Sequence, residues 1–404
     1  MFSFEEARQR VIDRVEPLTE RELLAVRSTL GRILAEDVRA PFDIPPLSNS
    51  ARDGYALRAA DLTGSGGVRL RVVAEIPAGH YSDREIRAGE AARIFTGAPL
   101  PPGADTVVMQ EHVQRRGEYV EVPAGAVKPD DNVRPRGEDV KSGEAVLEGG
   151  SYIRPQEMGI LASLGLTQVW VNRRPRVAVI STGNEVVEAG DRRGPAQIFD
   201  SNRSTLIGLL QALGAEVLDG GIVRDEVDEL RQAFVRASGN AHAILTSGGV
   251  SVGAYDLVRD ILNEVGEIDF WRVKMRPGGP QAYGRIGPAY FFGLPGNPVS
   301  AMVVCLEIVR PALWRLMGRK DWQPTRFHAR LREPIRKRPG LMEFQRGVLT
   351  YTAQGWEVTT TGPQGSGILR SMVKGNCLIF LAEERGDYES GEDVWVEPFP
   401  MAWL

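Results

Sequence analysis

Glycines recur in three loops of the chain, and two of these loops also carry hydroxyl side chains, a combination that can bind an anion. The loops read STGNE at 181–185, SGGVS at 247–251 and GLPGNP at 293–298. Glycine permits positive φ angles, so consecutive backbone N–H groups can point at one ligand, and the N-terminus of a following helix adds to the attraction. One such loop alone is usually only a turn. Three of them at one sheet edge predict a site for a phosphate or another oxyanion.

Carboxylates follow the strands of the same region. Glu185, Asp225 and Asp256 each come after a predicted strand or begin the helix behind it. Taken singly, Asp225 and Asp256 are equally well explained as helix N-caps. As a set beside anion-binding loops, they indicate a hard cation such as Mg²⁺, which prefers oxygen ligands and can bridge to a phosphate.

Positive charge for the same site comes from Lys274 and Arg276, in the segment VKMRPGGP at 273–280. Arginine can chelate an oxyanion through two nitrogens, whereas lysine acts as a point charge. The alternative is that both residues simply lie at a strand end that is exposed to solvent.

Two loops nearer the N-terminus also carry polar groups. The segment SNSARDGYA at 48–56 places Asp53 in a tight Asp-Gly turn, and FTGAPLPPGAD at 95–105 presents the Thr96 hydroxyl on a proline-rich loop. Each segment alone indicates only a turn.

The elements that hold these loops follow from hydrophobic spacing. Ser3 and Glu6 form a predicted capping box for a first helix, and a second short helix is predicted over 21–29. Short alternating runs from about 41 to 150 predict a mostly β region, followed by a helix over 155–164.

Strands and helices then alternate. Strands are predicted at 177–180, 215–218, 243–245 and 290–292, and helices at 204–213, 227–237, 257–265 and 299–317. This alternation predicts a parallel sheet wrapped by helices, with ligands at the carboxyl ends of the strands. After about residue 322, strands at 356–360, 377–380 and 394–396 predict a small β-barrel or sandwich. The fold class is therefore a multidomain combination of α/β and β.

Composition narrows the function. The 404 residues are 42% hydrophobic and 25% charged with a net charge of −4, so a nucleic-acid or anionic-membrane surface is not expected. Cys305 and Cys377 are far apart, which fits a reducing compartment. The first residues resemble no signal peptide, and the apolar stretch 299–316 contains too many polar residues to span a bilayer. We therefore expect a cytoplasmic protein.

Taken in order, the motifs resemble those of the molybdopterin molybdenumtransferases, the MoeA family. The resemblance covers essentially the whole chain, and the same fold forms the C-terminal domain of gephyrin, a receptor-anchoring scaffold. The matching segments are 48–56, 96–99, 136–139, 181–185, 247–256, 293–300, 344–347 and 364–366.

The resemblance implies a domain plan and an assembly. It implies an N-terminal helical and linker domain at 1–45 and 141–172, and an inserted mostly β domain at 46–140. A three-layer α/β/α molybdopterin-binding domain would cover 173–322, and a β-barrel 323–404. It also implies a homodimer whose active sites are shared between protomers, with molybdopterin adenylyltransferase as a transient partner.

The resemblance further implies the chemistry. The substrates would be molybdate and adenylylated molybdopterin, and the products AMP and the molybdenum-loaded pterin, with Mg²⁺ required. Matching positions imply four functional acids, Asp53, Glu185, Asp225 and Asp256, with Asp225 and Asp256 as the metal ligands. They imply these substrate contacts: Thr96, Gly97, Arg136, Asp139, Ser181, Thr182, Ser247, Gly248, Gly249, Ser251, Lys274, Arg276, Pro295 and Pro298.

One departure from the family pattern and two rival functions qualify this interpretation. The family often has lysine where this chain has Gly279, so one cationic contact is lost. A molybdopterin adenylyltransferase would resemble only the segment of about 173–322. A gephyrin-like scaffold would keep the fold without needing Asp53 and Asp225. The flanking domains and these two acids favour the molybdenumtransferase.

Overall fold

The computed structural model describes residues 1–62, 66–249 and 257–399, without the side chains of Leu257 and Trp271. The α-helices are labelled in chain order: α1 Phe4–Arg14, α2 Pro155–Ser163, α3 Ser201–Ala212, α4 Val227–Ser238, α5 Leu257–Val265, α6 Pro298–Val304, α7 Arg310–Leu316 and α8 Arg370–Lys374. Short 3₁₀ turns lie at Val26–Ser28, Ala59–Leu62 and Gln110–His112, and a π-helical turn lies at Cys305–Val309.

The strands are labelled in the same way. Those before α2 are β1 Phe2–Ser3, β2 Arg21–Ala25, β3 Val38–Arg39, β4 Asn49–Ser50, β5 Gly54–Leu57, β6 Val68–Ile76, β7 Glu90–Ile94, β8 Thr106–Met109, β9 Gln114–Arg116, β10 Tyr119–Val122, β11 Val133–Arg134 and β12 Ala145–Leu147. Those between α2 and α6 are β13 Gln168–Asn172, β14 Arg176–Thr182, β15 Val186–Val187, β16 Ile198–Phe199, β17 Glu216–Val223, β18 Ala243–Ser247, β19 Gly266–Arg276, β20 Pro280–Ile286 and β21 Ala289–Leu294. The last are β22 Phe327–Leu331, β23 Met342–Thr352, β24 Gly355–Thr360, β25 Cys377–Leu381 and β26 Asp393–Pro398.

The N-terminal segment contains one confirmed and one wrong prediction. Ser3 and Glu6 form the predicted capping box of α1, each side chain bonded to the other's backbone N–H at 3.2 and 2.8 Å. The helix predicted over 21–29 is wrong. Residues Arg21–Ala25 form strand β2, which pairs antiparallel with β13 along its whole length. Long-range pairing therefore overrides a local sequence that also suits a helix.

The chain divides into two compact units. One comprises Met1–Ala35, Gly150–Met158 and Gln168–Leu404, and the other comprises Glu36–Gly149 and Gly159–Thr167. The second unit is built on a sheet with the strand order β8-β5-β7-β6-β10-β9. Each face of this sheet covers its own apolar cluster, one around Leu70 and Val120 and one around Ile76 and Ile94. The mostly β character predicted for this region is confirmed.

The first unit contains the α/β sheet, with the strand order β17-β14-β18-β21-β20-β19. The four strands from β17 to β21 pair parallel to one another, as predicted. The prediction lacked β20 and β19, which add two antiparallel strands at one side. Apolar clusters cover both faces of the sheet, so the sheet is a central layer between helices.

A small closed barrel follows the α/β sheet. Its strands run in the order β23-β24-β22-β26-β25, and β25 pairs again with β23 to close the ring. Its interior is lined by side chains such as Leu331, Val358, Ile379 and Val396. Strand β23 also pairs with the end of β19, which joins the barrel to the α/β sheet within this unit. The predicted multidomain α/β plus β fold class is confirmed.

The helix predicted over 299–317 is interrupted by the π turn at Cys305–Val309, just before Pro311. Proline lacks the N–H of a regular helical turn, which explains an irregular hydrogen-bond pattern at this point. Within the described ranges, no helix is long and apolar enough to cross a membrane.

Candidate active site

The loops with glycines and hydroxyls come together at one edge of the α/β sheet. Ser247, the last residue of β18, lies in register with Ser181 of β14 on one side and with Leu294 of β21 on the other. The three strands are parallel, so their following loops leave the sheet at the same edge. Pro295 is buried in the last of these loops, and Pro298 is the first residue of α6.

The glycine loop after β18 packs closely against the end of β14. Gly248 has a φ of +98°, and its N–H donates to the Leu294 carbonyl at 3.1 Å. A Cβ at Gly248 would lie 2.6 Å from the Thr182 carbonyl oxygen. Gly249 also has a positive φ, of +72°. Both positions therefore require glycine if the loop is to keep this shape.

Several hydroxyl groups at this edge are buried without a protein partner. The side-chain oxygens of Ser181, Thr182 and Thr246 make no hydrogen bond to any residue that the structure describes. A buried hydroxyl without a partner is costly unless a ligand or water engages it. These side chains are therefore available to an oxyanion. Ser251 and Asp256, predicted in the same loop, lie outside the described residues.

Two of the predicted acids approach each other after β14 and β17. The Asp225 N–H donates to the Asn184 side-chain carbonyl at 3.3 Å. Burial raises the pKa of Asp225, and the nearby carboxylates of Glu185 and Glu226 raise it further. The two predicted acids therefore repel each other, and a bound cation would relieve this repulsion. Within the described part of the chain, no group of three or more His, Cys, Asp or Glu residues could by itself hold a metal ion.

Two residues that the sequence analysis did not single out hold these loops. The side-chain amide of Asn202, at the start of α3, donates to the Ser247 hydroxyl oxygen and to the Gly296 carbonyl, both at 2.7 Å. Its neighbour Arg203 is buried and forms ion pairs with Asp200 and two other acids, Asp219 and Glu188. Their sequence motif, DSNR at 200–203, resembles an ordinary helix start, so only the fold reveals their contacts.

Lys274 and Arg276 lie at the end of β19, three strands from β18 at the same edge of the sheet. At about 4.8 Å per strand, that places them roughly 14 Å from the glycine loop. Lys274 pairs with Glu383 at 3.1 Å and Arg276 with Glu343 at 3.5 Å. The predicted cations therefore flank the glycine loop at a distance.

A cavity of about 410 Å³ opens beside Arg276 and contains a further arginine. Arg346 has no exposed surface, and its side chain donates to the Ser371 hydroxyl at 2.9 Å and the Gly365 carbonyl at 3.1 Å. Burial lowers the pKa of Arg346 to about 10, so it stays charged at neutral pH. No carboxylate in the described ranges forms an ion pair with it. The charge of Arg346 therefore attracts an oxyanion to this cavity, while other side chains cover its guanidinium.

The departure at Gly279 has a structural consequence. A Cβ there would lie 3.1 Å from the Met275 carbonyl oxygen and 3.2 Å from that of Val273. Both neighbours are backbone atoms, so a side chain at this position would require the turn to adjust.

The predicted residues of the second unit form two separate groups. The Asp53 carboxylate accepts hydrogen bonds from the Thr96 backbone N–H and hydroxyl, both at 2.8 Å, and these bonds lower the pKa of Asp53. The adjacent Gly97 donates its N–H to the Ser50 carbonyl at 2.8 Å. Asp53 is therefore held as a partly exposed, ionised carboxylate.

The other group does not contact Asp53. The Arg136 side chain pairs with Asp43, and its backbone N–H donates to Ser48 Oγ at 3.1 Å. Asp139 is exposed, and its backbone N–H donates to the Ile44 carbonyl at 3.0 Å. Arg136 and Asp139 thus fix the local chain path.

Comparison with family models defines the class of protein. Residues 2–165 match the MoeA N-terminal region (domain I and II), 178–315 match a probable molybdopterin binding domain, and 328–399 match the MoeA C-terminal region (domain IV). The chain is thus similar to proteins of molybdenum-cofactor synthesis along nearly its whole length.

Comparison with individual proteins is more specific. The chain is 40% identical to the molybdopterin molybdenumtransferase of Haemophilus influenzae, with 99% of each chain covered. It is 36% identical to that of Nostoc sp., with 97% of this chain and 92% of the relative covered. A crystal structure of the molybdopterin biosynthesis moeA protein from Pyrococcus horikoshii matches with a TM-score of 0.87 at 30% identity, covering 99% of this chain and 100% of that one. The chain belongs to the molybdopterin molybdenumtransferase family, whose members are transferases.

Proposed function

We propose that this protein inserts molybdenum from molybdate into adenylylated molybdopterin and releases AMP. The observation that carries the proposal is the edge formed by the loops after β14, β18 and β21. There, a glycine loop and buried hydroxyls without partners offer hydrogen-bond donors to a phosphate. The identity to molybdopterin molybdenumtransferases over the full chain supports a phosphorylated pterin as the ligand.

The donor side chains and the acids divide the work. Ser181, Thr182, Ser247, Gly248 and Gly249 bind the phosphate of the pterin, because hydroxyls and backbone N–H groups stabilise an oxyanion. Ser251, which lies outside the described residues, belongs to the same proposed set. Binding there brings the anhydride linking pterin and AMP next to the acids that follow β14 and β17.

Asp225 and Asp256 are the proposed ligands of Mg²⁺, and Glu185 is the acid beside them. The oxygen donors fit this ion, and the repulsion that raises the pKa of Asp225 is the repulsion that a cation removes. Bound Mg²⁺ would offset the negative charge of the anhydride as it is cleaved. Asp225 and Glu185 would also accept or return the proton of the attacking water or oxo group.

Molybdate is the second substrate, and its proposed binding site is the cavity beside Arg276. The buried guanidinium of Arg346 supports this assignment, because it is charged and lacks a carboxylate partner among the described residues. Arginine is suited to tetrahedral oxyanions because it presents two N–H groups in one plane. Arg276 lines the cavity and adds positive charge there, and Lys274 lies two residues before it on β19.

The proposal includes the assembly and setting that the family resemblance implies. The protein would be a cytoplasmic homodimer with four domains per chain. Asp53, with Thr96 and Gly97, would complete the site of the partner protomer, while Arg136 and Asp139 would support that loop region. Molybdopterin adenylyltransferase would act as a transient partner that supplies the adenylylated substrate.

A choice between substrates tests the proposed activity. Purified protein is given either adenylylated molybdopterin with molybdate, or molybdopterin with ATP, each in the presence of Mg²⁺. We expect AMP release only from the first mixture. Consumption of ATP in the second would identify an adenylyltransferase, and inactivity in both, with tight binding of a protein partner, would favour a scaffold.

Complementation between variants tests the shared site. Chains carrying Asp53→Ala and chains carrying Asp256→Ala are mixed, and subunit exchange is verified with different tags. A twofold dimer with shared sites then contains one intact site per heterodimer, so activity should recover to about half of wild type per heterodimer. Exchange without any recovered activity would contradict the shared site.

A further inference from the structure

Asn202 connects three segments at the candidate site through one functional group. Its side-chain nitrogen donates to the Ser247 hydroxyl oxygen at 2.7 Å and to the Gly296 carbonyl oxygen at 2.7 Å. A primary amide carries two hydrogens, so both bonds can form at once. The start of α3 is thereby joined to the loop after β18 and to the loop after β21.

The position of Asn202 is itself fixed. The preceding Asp200 caps α3 by accepting the Arg203 backbone N–H at 3.0 Å. The buried Arg203 side chain pairs with Asp200 at 3.0 Å and with Asp219, in the middle of β17, at 2.5 Å. This ion-pair network holds the first turn of α3 against the sheet, so Asn202 starts from a rigid backbone.

The bond from Asn202 determines the direction of the Ser247 hydroxyl. A hydroxyl has one hydrogen to donate and lone pairs to accept with. Since Ser247 accepts from Asn202, its own hydrogen must point elsewhere. Ser247 is 4% exposed, and its hydroxyl donates to no other residue within the described ranges. The hydrogen is therefore available to a ligand that reaches the end of β18.

We propose that Asn202 is a positioning residue that turns the Ser247 hydroxyl into a hydrogen-bond donor for the substrate's phosphate. It also keeps the Ser247–Gly249 loop and the loop around Gly296 at a fixed separation. The inference rests on the proposed function, since the phosphate is that of adenylylated molybdopterin. Asn202 does not touch the reacting atoms and acts through Ser247.

Asn202→Asp tests this role because it keeps the shape of the side chain but cannot donate. The carboxylate accepts the Ser247 hydrogen and turns it away from the ligand. We expect the KM for adenylylated molybdopterin to rise roughly ten- to hundredfold, the loss expected for one hydrogen bond to a charged group, with kcat little changed. Asn202→Leu, which is neutral and of similar size, should raise KM in the same direction.

A double-mutant cycle separates positioning from a general structural role. In a Ser247→Ala background, Asn202→Leu should raise KM no further, because the hydroxyl that it orients is gone. Asn240→Asp is the matched control: Asn240 precedes β18 at the opposite edge of the sheet, and among the described residues its side chain bonds only to the Arg236 carbonyl, at 2.8 Å. It should leave KM unchanged. Melting temperatures are recorded for every variant.

Additive effects of the Asn202 and Ser247 changes on KM would overturn the inference. So would an unchanged KM in both Asn202 variants, or a fall in kcat that parallels a lower melting temperature. Equilibrium binding of adenylylated molybdopterin, measured by calorimetry, keeps the two proposals apart. Wild-type protein that binds this ligand without releasing AMP refutes the proposed activity and still allows the cycle to be measured as Kd. Wild-type protein that does not bind it refutes both.

Discussion

Replacing Gly248 with alanine tests whether the glycine loop after β18 binds the substrate. The added Cβ would lie 2.6 Å from the Thr182 carbonyl oxygen and 3.0 Å from its hydroxyl oxygen. The backbone φ of +98° is also one that alanine rarely adopts. Strain of this kind costs about 1–3 kcal/mol, and the close contact is with backbone that cannot rotate away.

The strain of Gly248→Ala should appear as weaker binding. The free loop can relax by moving away from β14, but it must return to its original shape to bind the phosphate. The strain is then subtracted from the binding free energy, which predicts a KM for adenylylated molybdopterin roughly 5- to 150-fold higher. The assay is AMP release at saturating molybdate and Mg²⁺, with binding checked by calorimetry.

Gly355→Ala is the matched control for this prediction. Gly355 is the first residue of β24, next to the turn from β23; its φ is +105°, and a Cβ there meets nothing within 4 Å. The variant carries similar backbone strain far from the glycine loop, so it should lower the melting temperature and leave KM unchanged. If both alanine variants lose stability equally and bind substrate like wild type, the glycine loop does not bind the phosphate.

Three further predictions concern charged groups. The carboxylate of Glu185 raises the pKa of Asp225, so Glu185→Gln should lower that pKa. The acid limb of the pH profile of kcat/KM should then move to lower pH. An acid limb that does not move would show that Asp225 does not control it. Arg346→Lys should raise the KM for molybdate at least about tenfold, because lysine cannot replace the planar guanidinium. The control is Arg336→Lys in the same cavity, which should leave this KM unchanged. Equal effects of the two substitutions would exclude a specific role for Arg346. Glu307→Ala should lower the free energy of unfolding in urea by about 1–3 kcal/mol with little change in KM, because the half-buried Arg326 loses a hydrogen-bond acceptor and then shares Glu397 with Arg310; an unchanged free energy of unfolding would show that the network relaxes.

Local sequence patterns were sufficient to predict a helix or strand where a single periodicity or a single cap determines that element. The capping box of α1 and the β-α alternation from β14 to α7 are examples, because apolar spacing there directly matches the buried faces. Strand β2 was mistaken for a helix because its partner, β13, lies about 150 residues further along the chain. The antiparallel strands β19 and β20 were missed for a related reason, since their place in the sheet depends on neighbours rather than on their own pattern.

The candidate site shows the same limit. Loops that directly follow parallel strands, such as those containing Ser247 and Gly248, could be placed together from the sequence because parallel strands share an edge. Asn202 could not be placed at the site from the sequence, because its hydrogen-bond partners are 45 and 94 residues away. Nothing in its own segment indicates that it belongs to the site. Arg346 appeared only as part of a family motif, and its burial without a carboxylate partner required the barrel to be seen.

The most direct test of the proposed activity is the ratio of molybdenum incorporated into the pterin to AMP released in a single turnover. Protein loaded with adenylylated molybdopterin is mixed with molybdate and Mg²⁺, and both products are quantified, molybdenum by mass spectrometry after removal of free molybdate. The account predicts one molybdenum atom bound to pterin for each AMP released, and little of either product without molybdate. AMP release at full rate without molybdenum incorporation would contradict it, because the protein would then be a hydrolase of the adenylylated pterin.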